Sequence, residues 1–281
     1  MTIYLSQAQA KLNLIATLRR IAAVLPETGI LPAEALKRRD GREPGKREKE
    51  KHEEQLAALL MRYWRKQKAF LRDRLEWAYP DRKKLPDFLD TLIEDSFDDA
   101  GLIADLARLL KDAAENGIAL FGDKIPFQMD YTLANGRAAE WARRYAGDMI
   151  GEIGDTTRKL IKEAVGAFVE TPGFTLRDVI DRLPFTENRA FSVATTEITR
   201  AYAEANLIAG DELKQEFPGV RVVKMWFTNN DDRVCPICAP LDGMEVELDE
   251  GFTTEEGEGL DGPPAHINCR CWIDTTTSLA D

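Results

Sequence analysis

The chain places all four of its cysteines near its C-terminal end, together with one of its two histidines. They form a Cys-x2-Cys pair, Cys235 and Cys238, followed by His266, Cys269 and Cys271 in a His-x2-Cys-x-Cys run. Thiolates and imidazoles are the usual ligands of tetrahedral zinc sites, and one tight turn of Cys-x2-Cys can present two thiolates to the same ion. The five candidates exceed by one what a tetrahedron requires. The pattern predicts a knuckle, formed by these two Cys/His segments, that is held by zinc or cross-linked by disulfides. Free buried thiols are the alternative.

The expected redox environment favours the metal over the disulfide. An N-terminal signal peptide is not expected, because Lys11, Arg19 and Arg20 interrupt the first amphipathic segment. The sequence also contains no apolar stretch long enough to span a bilayer. We therefore expect the chain to be made in a reducing cytosol, where thiolates bind metal rather than pair as disulfides.

Charge is distributed unevenly along the chain. The net charge of −11 argues against a dedicated nucleic-acid binder. Eight basic and four acidic residues alternate in Lys37–Lys51, which we expect to be a solvated connection leading into a helix. If DNA is contacted, this segment and Arg62–Arg74 are the expected regions. The acidic stretch Gly251–Asp261 is predicted to be an exposed loop that repels DNA.

The elements that must position the knuckle begin with a long helical region. Apolar residues recur at intervals of three and four through most of the chain before residue 217. This spacing predicts helices at Ser6–Val24, Glu53–Ala78, Pro86–Phe97, Gly101–Asn116, Arg137–Ile153, Thr156–Val169, Thr175–Leu183 and Thr186–Glu216. Thr175 and Thr186 are predicted N-caps, and Asp178 would complete a capping box with Thr175.

The tail changes to a strand pattern. Three β-rich segments, Val220–Thr228, Met244–Leu248 and Trp272–Thr276, predict a small antiparallel sheet backed by the last long helix. The predicted fold class is therefore α+β, with a mostly helical N-terminal two thirds followed by this sheet and its Cys/His knuckle. So small a sheet needs help to fold, which a bound metal would supply.

Several short motifs of the tail occur in a characteristic order. An Ala-x-Thr-Glu helix is followed by Trp-x-Thr, by Asp-Arg-Val-Cys-x2-Cys-x2-Leu-x-Gly, and by Pro-Pro-x-His-x2-Cys-Arg-Cys. This order resembles the phage Mu F-like head morphogenesis family, the minor head proteins of tailed phages, over roughly Tyr131–Asp274. Besides the five candidate ligands, the residues that carry the resemblance are Thr196, Glu197, Trp226, Asp232, Gly243 and Arg270. Thr195 stands where the family often has an arginine.

The resemblance implies a function, a location and partners. It implies a minor capsid protein that acts in procapsid assembly and in DNA packaging or ejection near the portal vertex. The expected partners are the portal protein and a capsid or scaffolding protein, with DNA contact left open and no membrane. The expected location is the virion, inside the head near the portal, and the host cytoplasm during assembly. Residues 1–130 would be a helical docking region and residues 131–281 the Mu F-like domain.

Two other classes of function compete with this interpretation. A zinc deaminase would need His-x-Glu before its Pro-Cys-x2-Cys, but Asn268 stands where the glutamate would be. We therefore expect no enzymatic activity. A zinc-knuckle nucleic-acid-binding protein is the main alternative, and strongly salt-dependent DNA binding would distinguish it. Arg270, between two candidate ligands, is expected to orient a ligand or bind backbone carbonyls, or else to pair with an acidic group such as Glu197.

Overall fold

The computed structural model describes residues 43–78, 85–97, 99–125, 130–171, 173–254 and 259–279. The predicted helix Ser6–Val24 and residues 37–42 of the basic segment lie outside these ranges. The described helices are α1 Lys46–Ala78, α2 Leu85–Asp95, α3 Asp99–Gly122, α4 Thr132–Glu170, α5 Leu176–Arg182 and α6 Glu187–Glu216. The strands are β1 Val220–Phe227, β2 Glu245–Glu247, β3 Phe252–Thr253, β4 Gly259–Leu260 and β5 Trp272–Leu279. The predicted fold class, α+β with a C-terminal antiparallel sheet, is confirmed.

The first described helix begins earlier than predicted. Lys46–Lys51 belongs to α1, and Lys49 is buried in an ion pair with Glu43, 2.5 Å from Nζ to the carboxylate. This part of the predicted connection is therefore helical, and it is exposed as predicted except at Lys49. A charged sequence can be helical when tertiary contacts bury one of its faces.

The predicted break between two helices in the middle of the chain is also wrong. Helix α4 continues through residues 153–156 without interruption. Gly154 lowers helix propensity only modestly, whereas proline would break the hydrogen-bond ladder. The Thr157 hydroxyl donates to the Ile153 carbonyl at 2.6 Å, a bond made within the helix itself. The predicted caps are confirmed, because Thr175 and Asp178 form a capping box and Thr186 accepts from the Arg189 amide.

The helices share a continuous core across residue 130. Helix α3 packs against both α4 and α6, and α1 packs against α6. Gly117 of α3 lies so close to α6 that a Cβ there would be 2.6 Å from the Ala205 Cβ. Leu56, Leu60 and Trp64 of α1 are buried in the same core. The division of the chain at residue 130 stays a prediction.

The sheet has the strand order β2-β1-β5, with both neighbours antiparallel to β1. Trp226 pairs with Ile273 and Val223 with Glu247, close to the three strands predicted from sequence. Helix α6 covers this sheet, with Gly210 against Leu248 and Val222. The sheet and its knuckle are therefore held on the helical layer through α6.

The acidic segment differs from the predicted exposed loop. Its described residues include the antiparallel pair β3–β4, and the ring of Phe252 is fully buried 5.3 Å from the Trp226 ring in an edge-on contact. Lys224 of β1, also buried, donates to the Asp261 carbonyl at 2.8 Å. The expectation of a wholly exposed loop is wrong, because this aromatic side chain fixes the hairpin to the core.

Candidate metal centre

The first ligand loop leaves β1 through a set of backbone and side-chain bonds. The amide and hydroxyl of Thr228 both donate to the Asp242 carboxylate, at 2.7 and 3.0 Å. The Gly243 amide donates to the Trp226 carbonyl at 2.8 Å. Gly243 has φ of +77°, a conformation that a side chain disfavours, which explains a glycine at this signature position. These bonds close the base of the loop that carries Cys235 and Cys238.

Within this loop the two cysteines share a tight turn. The Cys238 amide donates to the Cys235 carbonyl at 3.1 Å and also lies 3.3 Å from the Cys235 sulfur. The turn therefore presents both sulfurs on one side, as a Cys-x2-Cys ligand pair requires.

The second ligand loop is fixed by helix α6. The Thr196 hydroxyl accepts from the Asn268 amide at 2.7 Å, and the Thr199 hydroxyl donates to the Cys269 carbonyl at 3.3 Å. Asn268 has φ of +63°, a conformation in which asparagine is enriched. Thr196, a residue of the resemblance, therefore has a defined role in placing this loop against the first.

The structure brings all five predicted ligands together as two overlapping triads. One contains Cys235, Cys238 and His266, and the other contains Cys238, Cys269 and Cys271, with ligand atoms within 4.8 Å of one another in each. His266 Nε2 lies 3.0 Å from Cys235 Sγ and 3.3 Å from Cys238 Sγ. The Cys238 and Cys269 sulfurs are 3.8 Å apart. Usual zinc bond lengths in a tetrahedron give about 3.8 Å between two sulfurs and about 3.6 Å between sulfur and nitrogen, so these donors fit the ion.

The orientation of His266 also fits a cation, and the clustered thiols perturb one another's pKa. His266 Nδ1 lies 2.8 Å from the Ile267 carbonyl, so a protonated Nδ1 donates there and leaves the Nε2 lone pair facing the sulfurs. Hydrogen bonds from Cys238 and Cys271 lower the pKa of the Cys269 thiol despite burial. The same bond to Cys269, with burial, raises the pKa of Cys238. All four cysteines are free thiols, so no disulfide competes with a metal.

Arg270 pairs with an aspartate rather than with Glu197 or a backbone carbonyl. Its guanidinium donates two bonds to Asp231, at 2.8 and 2.7 Å, and holds the pKa of that carboxyl down at about 2. Asp231 also accepts from the Arg233 amide at 3.1 Å. The ion pair therefore connects the start of the first ligand loop, at Asp231, to the end of the second ligand loop, at Arg270.

Sequence reasoning selected the neighbouring Asp232, which is exposed. Counted from Trp226, a Trp-x-Thr-x-x-Asp spacing ends at Asp231, so the spacing itself could have found the residue that makes the contacts.

Glu197 belongs to a second polar cluster, on the helical side. It accepts from the Tyr145 hydroxyl at 2.5 Å and from Arg200 at 3.3 Å. Burial and the adjacent carboxylate raise the pKa of Tyr145, so this hydroxyl stays a donor. Thr195, where the family often has arginine, donates instead to Glu53 at 3.4 Å. Glu197 therefore links α4 to α6 rather than touching the knuckle.

Comparison with known proteins agrees with this arrangement. Residues 151–274 match the family model described as phage Mu protein F like protein. The match covers somewhat less than half of the chain and runs from the middle of α4 into β5, so it includes both ligand loops. No curated protein and no solved structure matches the chain. The predicted resemblance is confirmed over this segment, and it associates the segment with phage head morphogenesis.

The helices that the structure describes are too short or too polar to cross a bilayer.

Proposed function

We propose that the protein is a minor head protein of a tailed phage, acting near the portal in procapsid assembly and in DNA packaging or ejection. The observation that carries this proposal is the family match over residues 151–274. Its two ends lie in α4 and β5, and both ligand loops fall between them. We further propose that the protein is incorporated in the virion and interacts with the portal and with a capsid or scaffolding protein.

The metal centre supports a structural role rather than a catalytic one. Sulfur and imidazole donors favour zinc over harder cations such as magnesium. Catalytic zinc keeps an open position for water or substrate, whereas the five candidate donors clustered here exceed the four that close a tetrahedral site. When bound, the ion would supply a cross-link between the two ligand loops. Cys238, Cys269 and Cys271 are buried, which also keeps substrate away.

Exposed apolar side chains suggest a docking surface. Leu56, Leu60 and Trp64 of α1 are buried and unavailable to a partner. Ile237 and Ile267, one in each ligand loop, are 46% and 76% exposed. Each isoleucine is the chain neighbour of a candidate ligand, Cys238 or His266, so both lie beside the donor cluster. We propose that the tip of the knuckle, defined by these two isoleucines, contacts the portal.

Charge disfavours the alternative of a nucleic-acid-binding knuckle. In the basic stretch of α1, Arg62 pairs with Asp105 at 3.0 Å and Arg72 with Asp73 at 2.9 Å. At the knuckle, Arg270 is already bound to Asp231. These arginines are therefore partly neutralised, which reduces counterion release on DNA.

Co-expression with the neighbouring portal protein tests the proposal. We expect the wild-type protein to co-purify with the portal or with procapsids. The Ile237→Asp/Ile267→Asp variant should lose most of this association. Leu133→Asp is the matched control, because Leu133 is 69% exposed on α4 and should tolerate the charge. Failure of the wild type to co-purify, together with strongly salt-dependent DNA binding or turnover of nucleic acid, would reject the head-assembly function.

A further inference from the structure

We propose that a single zinc ion is bound by Cys235, Cys238, His266 and Cys269, and that Cys271 is not a ligand. This inference rests on the structural metal centre of the proposed function and goes further by naming the four donors among five candidates.

The first argument is that these four residues form two equivalent turns. The Cys238 amide donates to the carbonyl of Cys235 at 3.1 Å, and the Cys269 amide donates to the carbonyl of His266 at 3.2 Å. In both turns the first and fourth residues are the candidate donors. The same hydrogen bond closes both turns, so the Cys-x2-Cys and His-x2-Cys segments have the same local backbone arrangement. Two such turns facing each other supply the four donors of a tetrahedral site.

The second argument is that short contacts connect the four donor atoms in sequence. Cys235 Sγ to His266 Nε2 is 3.0 Å, His266 Nε2 to Cys238 Sγ is 3.3 Å, and Cys238 Sγ to Cys269 Sγ is 3.8 Å. The last distance already equals the edge of about 3.8 Å expected between two zinc-bound sulfurs. Cys269 shares no triad with Cys235 or His266 in the described part of the structure, so binding of the ion requires the second turn to bring its sulfur towards these two donors.

The third argument is the position of Cys271. It lies outside both turns, directly before β5, and is buried. Its sulfur forms a triad with the sulfurs of Cys238 and Cys269. Cys271 belongs to the same buried core as Trp226, a fully buried residue whose indole N–H has no hydrogen-bond partner among the described residues. Cys271 therefore packs in the core behind the site.

Zinc-edge X-ray absorption and metal content of the full chain test the assignment. The wild-type protein should contain one zinc with three sulfur neighbours and one nitrogen neighbour. Cys271→Ser should retain one zinc in the same environment. Cys269→Ser should weaken zinc binding by more than the roughly 100-fold that loss of an outer-sphere partner causes.

A conservative ligand exchange keeps the test decisive if Cys269→Ser does not fold. Cys269→His should retain zinc but change its neighbours to two sulfurs and two nitrogens, whereas Cys271→His should lack this signature. Four sulfur neighbours in the wild type would overturn the assignment. So would zinc loss in Cys271→Ser together with an unchanged zinc environment in Cys269→His. A wild-type protein without zinc would also overturn the assignment. Portal association is measured in a separate experiment, so failure of the zinc assignment can be distinguished from failure of the proposed function.

Discussion

At the scale of single residues, adjacent aspartates have different surroundings. Asp231 binds the Arg270 guanidinium twice and accepts from the Arg233 amide, while Asp232 is exposed. Arg270 lies between Cys269 and Cys271, so the ion pair restrains the second ligand loop from the first. Residues that orient a ligand loop influence metal affinity although they do not touch the metal.

Asp231→Ala should therefore weaken zinc binding by roughly 10-fold, while Asp232→Ala should leave it unchanged. Competition with a chromophoric chelator measures both affinities. Equal effects of the two substitutions would show that the ion pair contributes nothing to the site.

A second residue-scale prediction concerns Glu53 at the contact of α1 with α6. Burial raises the pKa of this carboxyl above its usual 4.5, against the opposing charge of Lys49. The folded state thus holds the proton more tightly than the unfolded state. The contribution of the Glu53 carboxyl to the stability of the folded state is therefore complete below pH 4.5. It is lost as pH rises through the folded-state pKa.

Glu53→Gln should consequently match the wild type near pH 4 and become more stable than it at pH 7. Urea denaturation across this pH range measures the difference in unfolding free energy between the variant and the wild type. Any effect of metal loss that both proteins share cancels in this difference. Glu54→Gln, an exposed neighbour, is the control and should show no such trend. A constant difference between Glu53→Gln and wild type at all pH values would contradict the pKa shift.

Sequence could identify the five candidate ligands but not choose among them. Residue types and spacing reveal which side chains can bind a metal, and the structure gathers all five. The spacing Cys269-x-Cys271 does not tell which of the two sulfurs binds an ion together with His266. That choice depends on how helix α6 places the second ligand loop against the first, which is a tertiary feature.

At the scale of elements, the close approach of α3 and α6 supports the surface on which the sheet rests. Gly117→Ala would place a methyl group 2.6 Å from the Ala205 Cβ. Overpacking costs about 1–3 kcal/mol, which should exceed the roughly 0.5–1 kcal/mol that alanine gains over glycine in a helix. Gly147→Ala in α4 meets nothing within 4 Å and should stabilise the protein by that smaller amount.

Chemical denaturation of the two alanine variants shows whether each substitution raises or lowers the free energy of unfolding. If Gly117→Ala were as stable as Gly147→Ala, the two helices would be farther apart than the structure places them.

The elements show where local patterns predict structure well. Thr175 and Thr186 were predictable caps because capping depends on residues only three positions apart. The continuity of α4 and the burial of Phe252 were missed. Local sequence around Gly154 favours a break, and the acidic surroundings of Phe252 favour an exposed loop, but packing against other elements decides both.

At the scale of the whole molecule, the metal should stabilise the tail more than the helical layer. The helices bury their own apolar side chains in a core that includes Leu56, Leu106 and Ile161. The core around Trp226 contains Cys238, Cys269 and Cys271, so a metal bound by these cysteines would also stabilise this core.

Removal of zinc by a chelator should speed amide hydrogen exchange through residues 220–279, with little change in α1–α4. Hydrogen exchange followed by mass spectrometry resolves the two regions. Readdition of zinc should restore protection, which separates metal loss from irreversible unfolding. A uniform loss of protection over the whole chain would indicate one cooperative unit instead.

The central claim, that this is a minor head protein, is tested most directly by quantifying it in purified particles of the phage that encodes it. Quantitative mass spectrometry of procapsids and mature virions gives its copy number relative to the portal protein. The account predicts that the protein is present in a few copies per head and resists a high-salt wash of the particles. Its absence from both procapsids and virions, with the chain recovered only in the soluble fraction of infected cells, would contradict the account.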